Sequence, residues 1–171
     1  MRQLYLLISI IFMAFPLMAQ EHNADTASWF DFWVGKWDVS WQNPDSTVGK
    51  GINNVVKIMD DKVIQENFEI TDAGANTGFK GTSLSVYNPA SHVWHQAWAD
   101  NQGGFFNFIG EAAGDKRIFK TMPVERNGKT IVLRMVFYDI TNYSITWDWE
   151  RSEDGGKSWQ LQWRINYKKR S

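Results

Sequence analysis

Two charged side chains interrupt apolar faces of the sequence and are the first candidates for chemistry. Read at every second position from Ile64 to Ile70, Glu66 is the only charge on an otherwise apolar face. Arg134 interrupts a later apolar stretch in the same way. A buried charge is costly unless it is paired. Two interpretations stay open: a structural network that pairs Glu66 with Arg134, or polar groups that face a ligand.

Aromatic rings and an amide side chain also occur on the predicted strands, beside the apolar residues or between them. Apolar walls with a few convergent polar groups are typical of small-molecule pockets. We therefore predict binding of a small apolar or amphipathic molecule. The predicted ligand-binding residues are Glu66, Tyr87, Gln96, Trp98, Arg134, Trp147 and Trp149. Two alternatives remain open: an isomerase or hydrolase with Glu66 as acid–base, and a glycan-binding module that uses exposed tryptophans.

Other catalytic and metal-binding patterns are not indicated. The chain has no cysteine and three histidines, of which His22 lies in a polar lead-in. His92 and His95 are three positions apart, so on a strand their side chains point to opposite faces. No metal site and no cofactor are predicted. The chain has no G-x-S-x-G motif, and its paired carboxylates, Asp60-Asp61 and Glu153-Asp154, fall in predicted turns.

The segment from Ser152 to Trp159 has the form S-x-D-x-G-x-S-W, which resembles the Asp-box turn of sialidases. In such a turn the aspartate accepts backbone N–H bonds and glycine supplies a positive φ. A sialidase needs several such boxes in a far longer chain. We therefore predict that Asp154 is structural and that the turn sets the register of the two strands beside it.

The elements that must position these residues begin with an aromatic stretch, Ser28 to Trp41, which holds four of the ten tryptophans. Rings are too densely spaced from Trp29 to Trp33 for a half-buried strand, and they favour a short helical turn that plugs an apolar end. After Gly35, apolar and polar residues alternate, which is typical of a half-buried strand.

Short alternating segments separated by turn residues continue to the end of the chain. They predict an all-β fold: a single antiparallel up-and-down barrel of about ten strands, capped by the N-terminal helical turn. The predicted strands cover residues 36–42, 51–59, 63–70, 80–87, 93–99, 105–112, 117–122, 130–139, 144–151 and 159–168.

The first residues of the sequence are typical of a targeting segment rather than of part of the fold. Arg2 followed by an apolar run and a small residue at position 19 is typical of a signal peptide. We therefore predict a signal peptide at 1–19, one β-barrel domain at 20–171, and an exported protein, periplasmic or secreted. The net charge of −1 argues against a nucleic-acid partner, and no later segment is apolar enough to span a membrane.

The sequence Gly35-Lys36-Trp37 after an aromatic turn resembles the G-x-W start of calycins, the superfamily of lipocalins, fatty-acid-binding proteins and nitrobindin-like barrels. The resemblance implies a basic residue on the last strand against the first-strand tryptophan. It predicts that Arg164, or as second choice Lys168, packs on Trp37. Haem binding as in nitrobindin needs an axial histidine, and no histidine falls near the last strands.

The whole chain after residue 19 more closely resembles a family of exported bacterial proteins of unknown function. Three stretches carry this resemblance. They are Phe30 to Trp37, Gln65-Glu66-Asn67-Phe68, and the segment from Met135-Val136-Phe137 to the hairpin Trp147-Asp148-Trp149-Glu150-Arg151-Ser152. The family implies a calycin-like barrel and brings no activity with it.

Overall fold

Strands make up most of the computed structural model, which describes residues 26–170. The strands of that part of the chain are β1 (Gly35–Gln42), β2 (Val48–Ile58), β3 (Val63–Asp72), β4 (Lys80–Asn88), β5 (Val93–Asp100), β6 (Phe105–Ala113), β7 (Lys116–Lys120), β8 (Val124–Arg126), β9 (Lys129–Tyr138), β10 (Ser144–Ser152) and β11 (Gln160–Lys169). Short 3₁₀ turns cover Thr26–Ser28, Asp31–Trp33 and Gly74–Asn76.

Ten of these strands close into an antiparallel barrel. Each strand from β1 to β7 pairs with the next, β7 pairs with β9, and β9, β10 and β11 follow in order. The barrel closes where β1 pairs with β11, with Trp37 opposite Lys169 and Ser40 opposite Asn166. The predicted all-β barrel is therefore confirmed.

Strand β8 lies outside the barrel and is absent from the predicted set. It pairs only with the first residues of β9, across the turn at Asn127 and Gly128. All three of its residues are exposed. The sequence gives no sign of β8 because a strand exposed on both faces has no alternation of apolar and polar residues.

The predicted N-terminal plug is also confirmed. Phe30 is fully buried, and its ring stacks on Phe119 with 4.1 Å between centroids. Trp33 is buried edge-to-face against Phe137. The indole Nε1 of Trp94 donates to the carbonyl of Thr26 at 2.7 Å, which ties the turn to β5. This end of the barrel is filled by side chains.

The interior side chains form layers from the plug towards the opposite end of the barrel. A polar layer follows the plug, and an aromatic layer follows the polar one. The polar layer consists of Asn53, Glu66, Ser83, Ser85, Gln96 and Tyr167. The aromatic layer contains Phe68, Trp98, Phe106, Phe108, Trp147, Trp149 and Trp163.

The predicted signal peptide, residues 1–19, and His22 lie outside the described residues. Within residues 26–170 no helix has both the length and the apolar character needed to cross a membrane.

Candidate functional site

An internal cavity of about 190 Å³ lies in the aromatic layer, on the far side of the polar layer from the plug. Its walls are aromatic rings from five strands and the β3–β4 loop, together with Met135 and Ile165. Two carboxylates, Glu66 and Asp100, line it as well, together with Tyr167. The cavity therefore combines apolar walls with a few polar groups at defined positions.

The rings of the cavity pack against one another and are fixed by these contacts. The planes of Trp147 and Trp149 are within 5° of parallel, with centroids 6.4 Å apart. Trp163 lies perpendicular to Trp147, at 88° and 5.9 Å. Phe106 and Phe108 contact Trp149 edge-to-face, at 5.8 and 6.1 Å. Edge-to-face and offset arrangements are the ones that aromatic quadrupoles favour, so the walls are preformed.

The polar layer forms the floor of this cavity. Asn53 Nδ2 donates to Glu66 Oε1 at 2.7 Å and to the Tyr167 hydroxyl at 3.2 Å. Ser83 Oγ donates to Glu66 Oε2 at 2.8 Å, and Gln96 Nε2 lies 3.3 Å from the same serine oxygen. Each carboxylate oxygen of Glu66 thus accepts one hydrogen bond and has a second lone pair free.

Burial changes the protonation of both acidic groups in this floor. Glu66 is 4 % exposed, and burial raises the pKa of its carboxyl to about 7, although the bonds from Ser83 and Asn53 oppose the shift. Burial, with the nearby Glu66 charge, also raises the pKa of the Tyr167 phenol well above its ordinary value. At neutral pH the phenol is therefore protonated, while Glu66 is present in both its protonated and its ionised form.

Asp100 lies at the opposite, open side of the cavity. Its Oδ1 accepts from the backbone N–H of Gln102 and Gly104, at 2.9 and 2.8 Å, and its Oδ2 accepts from Trp98 Nε1 at 3.2 Å. Burial acts to raise the pKa of Asp100, but these bonds outweigh it and hold the pKa below its usual range. The mouth therefore carries a fixed negative charge.

A glycine makes room for one of the cavity rings. A Cβ atom at Gly81 would lie 2.0 Å from Cζ2 of Trp98. The indole of Trp98 therefore lies directly over the bare backbone of β4. Any larger residue at Gly81 would push Trp98 out of its position in the wall.

The structure brings some of the predicted ligand-binding residues together at the cavity and places others elsewhere. Glu66, Trp98, Trp147 and Trp149 line the cavity. Gln96 lies in the polar layer, where its Nε2 also donates to Ser85 Oγ at 2.9 Å. That any of these residues binds a ligand stays a prediction.

Tyr87 and Arg134 lie away from the cavity. Tyr87 packs near Trp94 at the plugged end, and its hydroxyl is 3.0 Å from Nδ1 of His92. Arg134 points out of the barrel, where its Nε donates to Glu150 and its guanidinium stacks on Trp159 at 3.7 Å. The interpretation that Glu66 pairs with Arg134, one of the two left open, is therefore wrong, because the two side chains lie on opposite sides of the wall.

The expectation that Arg164 or Lys168 packs on Trp37 is also wrong. The strand register places Lys169 opposite Trp37, and its Nζ lies 5.1 Å from the centre of that ring. Lys168 is exposed on the outer face. Trp37 is fully buried, as expected, and its Nε1 donates to the carbonyl of Trp33 at 2.8 Å.

Arg164 instead stabilises a buried carboxylate in the outer surface of the wall. Its Nε and Nη2 both donate to Asp148, each at 2.7 Å, and Tyr138 donates to the same carboxylate at 3.2 Å. Asp148 is 5 % exposed. A bidentate pair of this kind is geometrically specific, so Arg164 holds β10 and β11 together rather than contacting the first strand.

Asp154 has the contacts expected of the Asp-box turn. Its Oδ1 accepts from the backbone N–H of Lys157 and Ser158, at 3.0 and 2.9 Å, and its Oδ2 accepts from the Ser158 hydroxyl at 2.6 Å. The bonds from Ser158 hold the pKa of Asp154 far below its usual range. Gly155 and Gly156 have positive φ, as the motif requires. That Asp154 takes no part in binding stays a prediction.

The described residues carry little sign of other sites. All ten tryptophans lie within residues 26–170, and each is buried or partly buried. No flat row of exposed rings is present there for glycans. In the same residues, no three His, Cys, Asp or Glu side chains are grouped so that they could hold a metal ion.

Sequence reasoning missed several residues of the site, among them Asn53, Ser83, Asp100, Trp163 and Tyr167. Asn53 carried no usable signal, because its face of β2 reads Gly51, Asn53, Val55 and Lys57 at every second position, whereas the opposite face holds Ile52, Val56 and Ile58. Tyr167 was hidden because a tyrosine on an apolar face is indistinguishable from core until its hydroxyl is placed beside Glu66.

Comparisons with known protein families and with curated proteins found no match to this chain. Membership of the exported bacterial family therefore stays a prediction. The closed antiparallel barrel with its helical cap is consistent with a calycin-like fold.

Proposed function

We propose that this chain is an exported binding protein that holds a small apolar or amphipathic molecule in the aromatic cavity. The observation that carries the proposal is the cavity itself: preformed aromatic walls above a floor of buried, hydrogen-bonded polar groups. Sites for small molecules generally have this composition. The plug fills the other end of the barrel, so the ligand would enter beside Asp100.

The volume limits the part of the ligand that is enclosed. A cavity of about 190 Å³ is smaller than the roughly 300–1,000 Å³ of pockets for drug-sized molecules. It is a little larger than the roughly 150 Å³ engineered cavity that binds benzene. A neighbouring outer cleft of about 660 Å³ shares Phe79 and Trp163 with it. We therefore expect a ring-sized or short branched group inside, and any longer ligand to extend into this cleft.

Calorimetric titration with ring-sized apolar and amphipathic compounds tests the proposal. The variant Met135→Trp adds bulk inside the cavity and should weaken binding by more than tenfold. Its matched control, Met122→Trp, adds the same bulk on the outer wall, where Met122 is 68 % exposed, and should bind normally. Equal weakening by both variants, or no saturable heat with any compound, would contradict the proposal. Native mass spectrometry of protein from the host envelope would identify the natural ligand.

A second candidate function is acid–base catalysis by Glu66 in the same cavity. The observation that favours it is the pKa of this carboxyl, which burial raises to about 7. A general acid or base works best with a pKa near the working pH. Once a ligand is known, incubation with the protein distinguishes the two functions. Recovery of the unchanged compound indicates binding alone, whereas a product that fails to form with Glu66→Gln indicates catalysis.

A further inference from the structure

The charges around the cavity are all of one sign. Among the described residues that line it, Glu66 and Asp100 are acidic and none is basic. The other lining residues are aromatic or aliphatic. A pocket for fatty acids or other anions would place a basic group beside the negative head, and none of the described lining residues is basic. This cavity has the opposite polarity, and its ligand should carry the opposite charge.

Glu66 has no positive partner of its own. It forms no ion pair in the part of the chain that the structure describes, and its two hydrogen bonds come from the neutral side chains of Asn53 and Ser83. A buried carboxylate without a countercharge is costly to ionise. A cation in the cavity would supply the missing countercharge, because the Glu66 side chain lines that cavity.

The walls suit a cation as well. The face of an indole ring carries negative electrostatic potential, and a cation within about 6 Å of the ring centre is attracted to it. Four tryptophans line the cavity, and Trp163 is perpendicular to Trp147, so rings surround the space from more than one direction. Such enclosure by rings is the usual way to recognise alkylated ammonium groups.

From these contacts we propose that the cavity binds a small organic cation, such as a quaternary or alkylated ammonium group. Its charge would lie among the indole rings and opposite the Glu66 carboxylate. This inference rests on the proposed binding function and names the ligand class for the same site. The cavity volume of about 190 Å³ admits one such head group. Asp100 at the mouth would attract the cation from solution.

Binding of a cation should depend on pH in a defined direction. Asn53 on β2, Ser83 on β4 and Tyr167 on β11 surround the Glu66 carboxyl, and of these only Tyr167 titrates. Burial raises the pKa of Tyr167 far enough to keep it neutral, and Asp100 stays charged. A cation favours the ionised form of Glu66, whose pKa is about 7. Affinity should therefore rise about tenfold between pH 6 and pH 8.

Choline and its neutral isostere 3,3-dimethylbutan-1-ol form a matched pair of probes, because they share one shape and differ in charge. Calorimetric titration at pH 8 should show choline binding at least tenfold tighter than the alcohol. This preference should shrink at pH 6. Glu66→Gln should weaken choline binding at least tenfold and abolish its pH dependence, while it changes alcohol binding less than threefold. Glu69→Gln, on the outer face of the same strand, is the control.

The possible results separate the two proposals. If the alcohol binds as tightly as choline, or more tightly, the cavity binds ligands but the cation inference is wrong. If neither probe nor any apolar compound binds, both proposals are wrong. Should Glu66→Gln fail to fold, Trp149→Leu at the mouth serves instead. This variant should weaken the binding of choline more than the binding of the alcohol. Equal weakening of both would overturn the inference.

Discussion

The buried carboxyl of Glu66 should control how the stability of the fold varies with pH. Burial raises the pKa of this group from an ordinary 4.5 to about 7 in the folded protein. In the unfolded chain the ordinary value applies. Between these two pH values the folded state therefore keeps a proton that the unfolded state has released. The stabilisation is fully present below about pH 4.5 and is lost as the pH rises through 7.

The size of the effect follows from the two pKa values. Each unit of pKa difference corresponds to about 1.4 kcal/mol, so the shift of Glu66 corresponds to about 3 kcal/mol. Glutamine at this position has no charge to bury at any pH. The free energy of unfolding of Glu66→Gln, relative to the unchanged protein, should therefore increase by about 3 kcal/mol between pH 4.5 and pH 8.

Urea unfolding followed by tryptophan fluorescence at pH 4.5, 6 and 8 measures this difference. Contributions from the other carboxylates are common to both proteins and cancel when the two are compared at each pH. Glu69→Gln, which removes an outward carboxylate from the same strand, tests whether any lost carboxylate gives the same result. The reasoning would be refuted if the free energy of unfolding of Glu66→Gln, relative to the unchanged protein, stayed constant with pH or decreased as the pH rises.

Three further predictions concern the wall and its turns. Gly81→Ala should displace Trp98 and weaken binding of any cavity ligand by more than tenfold, measured by calorimetry, because the added Cβ meets the indole; unchanged affinity would show that Trp98 is not part of the site. Asp154→Ala should lower the melting temperature and leave ligand affinity unchanged, since its side-chain hydrogen bonds are confined to its turn. Arg164→Met should destabilise the fold by about 3 kcal/mol in urea unfolding, because it leaves Asp148 buried without its partner. Adding Asp148→Asn to this variant should recover most of the lost stability. If it does not, the destabilisation does not come from leaving Asp148 without its partner.

Much of the fold could be predicted because alternation and turn residues are local signals. Each barrel strand begins and ends within a few residues of its predicted bounds. The N-terminal plug was recognisable from the density of its rings. Which face of a strand points inwards is not a local property. Glu66 and Arg134 interrupt apolar patterns in the same way, yet one lies in the floor of the cavity and the other outside on Trp159.

The site was harder to predict because its members come together only through register. Moving a strand by one residue exchanges its two faces, so the choice between Arg164 and Lys169 opposite Trp37 depends on how β11 pairs with β1. The polar layer needs the same information, since Asn53 and Tyr167 come from strands that meet only in the closed barrel. Residue types gave the Glu66 carboxylate and three of the four cavity tryptophans, and pairing between distant strands gave their arrangement.

The seam between β1 and β11 has a consequence for how the chain folds. Most of the other barrel strands pair with a neighbour in sequence, so most of the sheet can form through short loops. The seam instead joins residues as far apart as Asp38 and Arg170, whose side chains bond across 132 positions. Because closing so long a loop costs more chain entropy than closing a short one, we expect this seam to form late in folding. Until the seam forms, β1 and β11 are open sheet edges, on which newly made chains can associate with one another.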